Sequence, residues 1–241
     1  TYIEQFNWLS DNSYFFGKWW GMYDGVARAN EAMLLAQSAD VKDMTDAEKA
    51  QVVAEAKFLR GHFHFEAKKM WNKVPYISET VYKREDPNST KIPNTADIWP
   101  NIEKDFSDAA AVLPATQSQK GRATKWAAMT YLAKAYMFQK KFAAAKTLLE
   151  DVYKNSGKKL VPNYHDNFRT TGNNNAESIF EVQFSVNDGS TGNNGNAGDG
   201  LNWPYNASSP GRGCCGFYLP SQNLVNAFKT TADGLPMIGD K

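Results

Sequence analysis

The chain has 241 residues, 42% of them hydrophobic, enough for one large core or two modest ones. Its 27 basic and 26 acidic side chains leave a net charge of +1, which argues against the basic face that nucleic-acid modules carry. No apolar run approaches the roughly 18 residues that a membrane-spanning helix needs. Between residues 17 and 155 glycine occurs only at Gly17, Gly21, Gly25, Gly61 and Gly121, and five helices are expected there. The first, Gly17–Gln37, places Trp20, Tyr23, Val26, Ala27, Asn30, Met33 and Leu34 on one apolar stripe. The second opens at Thr45-Asp46-Ala47-Glu48, a capping-box pattern. It runs through Val52, Ala56, Leu59, Phe63 and Met70 to Trp71, and Pro75 blocks any continuation.

Thr95 and Asp97 launch a third helix through Ile102, Phe106 and Ala109 to Leu113, with Pro100 tolerated in its first turn. Ala123–Gln139 and Phe142–Lys154 then form a helical hairpin across the short turn at Lys140-Lys141. Ala133 and Ala145 lie where small side chains let two helices approach, while Leu132, Tyr136 and Leu149 fill the space beside them. Alternating small and large packing positions of this kind resemble a tetratricopeptide pair. The linker 72–96 is too long for the second and third helices to form a standard repeat. Beyond Gly157 the composition changes. Ser178–Phe184 alternates apolar and polar residues and predicts a short strand. Residues 187–215 hold seven Gly and six Asn, an unusually long connector for an inert loop. Ser221–Phe228 predicts a short helix. The expected fold is mainly α: a tetratricopeptide-like helical-pair scaffold over 1–156, followed by a loop-rich segment over 157–241 with a few short strands.

Several phrases carry a resemblance. Trp20-Gly-Met-Tyr23-Asp-Gly-Val26-Ala-Arg-Ala-Asn30, and Ala54-Glu55-Ala56-Lys57-Phe58-Leu59-Arg60 followed by Phe65 and Trp71-Asn-Lys-Val74-Pro75, resemble the SusD/RagB family. Gly61 stands where the family more usually has alanine. Gly121–Ala128, Leu132–Tyr136, Glu177–Glu181 and Pro220–Val225 are similar to its later motifs, in the same order. The resemblance implies a non-catalytic, glycan-binding lipoprotein at the cell-surface face of the bacterial outer membrane. Such a protein delivers oligosaccharide or polysaccharide to a SusC-like TonB-dependent transporter. No cofactor is implied. The anchoring N-terminal cysteine is absent, and family chains run to about twice this length, so a partial chain is expected. A peptide-binding branch of the family, a tetratricopeptide-type protein adaptor and an α-helical glycosidase are the alternatives.

Sugar rings present an apolar C–H face and a rim of hydroxyls, so recognition calls for aromatic platforms flanked by Asn, Asp or Arg. Trp203-Pro204-Tyr205-Asn206 with Arg212, inside the Gly/Asn-rich segment, supplies both kinds of group. Trp203 could equally anchor the loop to the helical body. A second set, Trp8, Asn12 and Tyr14, precedes the first clear helix. Trp20, Tyr23, Trp71, Trp126 and Tyr136 lie on apolar helix faces and are expected in the core, with Trp19 turned about 100° from Trp20. Cys214 and Cys215 suit a vicinal disulfide or two reduced thiols. Neither His62, His64 and His165 nor the tract Asp188–Asp199 has the spacing of a zinc or calcium site, so no metal is expected. No nucleophile-elbow, P-loop or zinc-protease motif occurs.

Overall fold

The computed structural model describes residues 3, 6–184, 222–235 and 237. The chain divides into two compact units, Thr1–Val182 and Gln183–Lys241. The first contains five helices: α1 (Ser13–Ser38), α2 (Asp46–Trp71), α3 (Trp99–Val112), α4 (Lys125–Phe138) and α5 (Phe142–Asn155). Two short 3₁₀ turns follow, at Tyr164–Phe168 and Thr170–Gly172. The described part of the second unit holds one helix, α6 (Gln222–Ala227). The protein is therefore mainly helical, as its periodicity predicts.

Each helix of the first unit packs on the next, from α1 to α5, and α2 also touches α4. The capping box closes as its residue types require. The Glu48 amide donates to the Thr45 hydroxyl at 3.3 Å, and the Thr45 amide to the Glu48 carboxylate at 2.8 Å. At the start of α3 the Trp99 amide donates to Asp97 at 3.2 Å, and Pro100 occupies the first turn without losing a needed donor. Between α4 and α5 the chain reverses through Lys140 at φ 60°. Ala133 and Ala145 are buried at this hairpin, so the small residues do bring its helices together. The core runs along the array through Phe58, Phe65, Ile102 and Phe106, with alanines at 54, 67, 109, 127, 128 and 135 between them.

Three expectations change. α1 begins four residues before Gly17, because the Asn12 side chain caps it by accepting from the Tyr14 amide at 3.0 Å. A Cβ at Gly17 or Gly21 would meet nothing, so both glycines ride on an open helix face and do not end it. The expected stripe through Tyr23, Val26, Asn30 and Met33 does face inward, but at its N-terminal end the inward tryptophan is the other one. Trp19 packs against the core, whereas Trp20 is 44% exposed. Finally, Ser178–Phe184 is not a strand. Ile179 and Phe180, neighbours in sequence, both pack on the core, which breaks the alternation; the Phe180 ring stands edge-on to Phe58 at 5.1 Å. Among the described residues it has no partner strand.

A buried polar network locks α1, α2, α3 and the linker after α2 together. Arg60 forks onto Asp105, with Nε to Oδ2 at 3.0 Å and Nη2 to Oδ1 at 2.6 Å. Its Nη1 donates to Asn30 Oδ1 at 2.9 Å and also to Glu79. Tyr76 donates to Asp105 at 2.9 Å, and Asn30 donates to the Ile77 carbonyl at 3.0 Å. Burial pushes the Asp105 carboxyl up, against the pull of Arg60. Burial likewise opposes the Arg60 charge, but Asp105 and Glu79 outweigh it and hold the guanidinium above its ordinary value. Guanidinium cannot give up its proton here, and the two-pronged geometry is that of an ion pair.

His64 sits inside the same network. The Ile77 amide donates to Nε2 at 3.1 Å, which leaves Nδ1–H to donate to the Arg60 carbonyl at 3.1 Å. Burial first, and the Arg60 charge second, lower its pKa from 6.5 to about 3. In the unfolded chain the imidazole takes a proton near the ordinary value; in the folded chain it does not until far lower pH. Between those values the unfolded state binds more protons, so stability falls as pH falls. Unfolding by urea is expected to show a loss of about 2 kcal/mol from this residue between roughly pH 7 and pH 5. His64→Gln, which keeps a donor and an acceptor, should flatten that slope.

Candidate functional site

The N-terminal residues and the start of α1 build an aromatic ledge. The Trp8 ring lies 6.0 Å from Phe6 and meets Phe15 edge-on at 5.9 Å. Phe15, Trp19 and Tyr23 follow at intervals of four, so they share one face of α1. Trp19 rests 4.6 Å from the Tyr23 ring and stands edge-on to Trp71, from the end of α2, at 5.1 Å. Tyr23 is fixed in turn, because its hydroxyl donates to the Pro75 carbonyl at 2.8 Å. The capping box and Pro75 therefore set where α2 runs and where it stops, and that brings Trp71 to α1.

A concavity of about 470 Å³ opens along this ledge, lined by Ser10, Asp11, Ser13, Phe15, Phe16, Trp19 and Trp71. A second, of about 320 Å³, continues past Trp19 along Tyr23, Pro75, Ile77 and Tyr82. Trp19 lines both. Together they suit an extended ligand better than a compact one. The lining is largely ring faces, with hydroxyls at Ser10 and Ser13 and a single charged group, Asp11. Such a surface offers stacking to C–H faces and a few hydrogen bonds at its rim.

The structure places Trp8, Asn12 and Tyr14 at this end of the first unit but gives them different tasks. Trp8 is 44% exposed and joins the aromatic row. Asn12 spends its side-chain oxygen on the α1 cap, which leaves its amide group as a donor. Tyr14 is 69% exposed, and its neighbour Phe15, not Tyr14 itself, meets Trp8. Phe15, Phe16, Trp19 and Trp71 were not singled out from the sequence as site residues. The four-residue spacing of Phe15, Trp19 and Tyr23 carries that signal; the three-residue step from Trp20 to Tyr23 competes with it. Trp203, Tyr205, Asn206 and Arg212 lie outside the described residues, as do Cys214 and Cys215. Among the described residues no cluster of His, Cys, Asp or Glu has metal-holding geometry, and no helix is long and apolar enough to cross a membrane.

Residues 1–137 match the SusD-like family described as starch-binding and associating with the outer membrane. A SusD-like protein of Bacteroides ovatus is 31% identical over 179 residues, covering 70% of this chain and 32% of that one. A laminarin-binding SusD-like protein of known structure superposes with a TM-score of 0.60 at 28% identity, over 68% of this chain and 36% of its own. Surface glycan-binding protein A of Bacteroides thetaiotaomicron, solved with laminarihexaose, gives 0.57 at 25% identity, over 68% and 34%. The chain thus spans about a third of the length of the curated relatives it matches.

Proposed function

Because the chain belongs to the SusD-like family, we propose that this protein captures oligosaccharide at the bacterial surface and passes it, uncleaved, to a SusC-like TonB-dependent transporter. In this reading the whole protein is tethered to the outer membrane by an N-terminal lipid and faces outward. The observation that carries it is the row of exposed and half-buried rings from Phe6 and Trp8 to Trp19 and Trp71. Aromatic side chains left at a concave surface, on elements fixed by a buried core, form a preorganised stacking platform. A lining with one carboxylate and no cation suits a neutral glycan. Trp203, Tyr205, Asn206 and Arg212 are proposed to add a further platform from the second unit. Laminarin recognition by two of the related proteins makes a β-glucan the first ligand to try.

The test is a calorimetric titration of the full-length protein with laminarihexaose, maltohexaose and an unstructured peptide of matched length. Saturable binding to at least one oligosaccharide is expected, with none to the peptide. Binding to the peptide alone would overturn the glycan reading in favour of peptide uptake.

A further inference from the structure

A separate cleft of about 310 Å³ opens in the first unit where three stretches meet. They are the α3–α4 connection, the turn after α5, and the segment 174–181. Its walls are fixed. Gly121 at φ 84° and Gly157 at φ 71° make turns that side chains rarely allow. The Lys159 amide donates to the Ala176 carbonyl at 3.1 Å, and Phe180 is anchored on Phe58.

The hydrogen-bonding groups on these walls are unevenly spent. The amide oxygens of Gln117 and Gln119 and the one carboxylate on these walls, Glu181, already take internal donors. Gln119 Oε1 takes Arg122 Nε at 2.6 Å, and Gln117 Oε1 takes Gln51 at 3.3 Å. Both Glu181 oxygens take the Asn174 amide, at 2.9 and 3.0 Å. Glu55, behind the wall, receives Arg122 Nη1 at 2.7 Å and Gln117 Nε2 at 3.0 Å. Donors remain. Lys120 and Lys158 line the cleft with no ion-pair partner among the described residues, and Lys158 is half-buried. Arg122 Nη2, the Gln119 amide group and the Ser178 hydroxyl are likewise uncommitted there.

A neutral sugar hydroxyl both donates and accepts, so it matches a wall that offers both. An oxyanion only accepts, and it gains most from charged donors. We propose that this cleft binds an oxyanion carried on a sugar ring, the carboxylate of a uronate. The sugar ring rests on the glycan reading above; the anion does not. The cleft is large enough for one terminal or side-chain residue of a glycan.

The full-length protein would be titrated with trigalacturonate, laminarihexaose and inorganic sulfate, and compared with a Lys120→Met/Lys158→Met variant. Wild-type protein should bind trigalacturonate with an affinity that falls steeply with salt. The variant should bind it at least tenfold more weakly and with a flatter salt dependence, while its laminarihexaose affinity stays unchanged. No trigalacturonate binding, an unaltered affinity in the variant, or binding of inorganic sulfate alone would each overturn the proposal. In the wild-type protein, binding of laminarihexaose without trigalacturonate would sink only this cleft; binding of trigalacturonate without any neutral oligosaccharide would sink only the aromatic ledge. Lys120 is exposed and Lys158 half-buried, and neither is in an ion pair among the described residues, so folding should survive, as a circular-dichroism melt would verify.

Discussion

Replacing Arg60 with alanine should cost about 3–5 kcal/mol of folding free energy, read from urea unfolding, because it strands buried acceptors on three other elements. Asp105 would lose both prongs of its pair, and Asn30 and Glu79 would lose their donor. Asp105 is 2% exposed, so water cannot replace the guanidinium without opening the helices. Arg60→Lys should recover little, since a single ammonium cannot fork onto Asp105 and reach Asn30 as well. A loss under about 1 kcal/mol, the range of an exposed pair, would contradict this account. The effect bears on function through geometry. The network fixes residues 76–79 after α2, and Pro75, immediately before them, holds the Tyr23 hydroxyl. Loosening it should blur the position of the ledge as well as lower stability.

Trp8→Ala should weaken glycan binding by about tenfold or more, on the order of 1.4 kcal/mol, the usual scale for an aromatic anchor in a contact surface. Its stability should change little, because among the described residues its ring contacts are with Phe6 and Phe15 and it is substantially exposed. Trp19→Ala should lose binding and stability together, since that ring also packs on Tyr23 and Trp71. Trp20→Ala is the control. It lies on α1 with Trp19, is as exposed as Trp8, and does not line the concavity. Equal affinity in Trp8→Ala and wild type would remove the ledge from the binding surface.

Much of this fold is legible in the residues themselves. Thr45 and Glu48 announce the start of α2, Pro100 marks the first turn of α3, and Ala133 with Ala145 foretells the α4–α5 hairpin. These features act within a turn or between adjacent helices, so local spacing contains them. Apart from the start of α1, set locally by the Asn12 cap, what failed depended on distant partners. Whether Trp19 or Trp20 faces inward is decided by Trp71, about fifty residues away, and both choices give an acceptable apolar stripe. Ser178–Phe184 has β-favouring residues, but Phe58 and Tyr131 offer Phe180 ring contacts while no strand among the described residues offers hydrogen bonds. The site was half legible. Trp8 stands out because an exposed tryptophan outside a helix has few structural reasons to be there. Trp71 does not stand out, because on its own helix it reads as an ordinary core residue. The polar cleft was invisible in the sequence, since it depends on which acceptors are already occupied.

The central claim is that the rings of the N-terminal ledge contact glycan. Each tryptophan contributes one indole N–H resonance, and those of the seven in this chain can be assigned by single substitutions. Laminarihexaose, or whichever oligosaccharide titrates, would be added stepwise to the isotope-labelled full-length protein. The account predicts saturable shifts of the Trp8, Trp19 and Trp71 resonances, with Trp99, which packs against the core and lines neither cleft, unmoved. Saturable binding that leaves all three ledge resonances in place would contradict it.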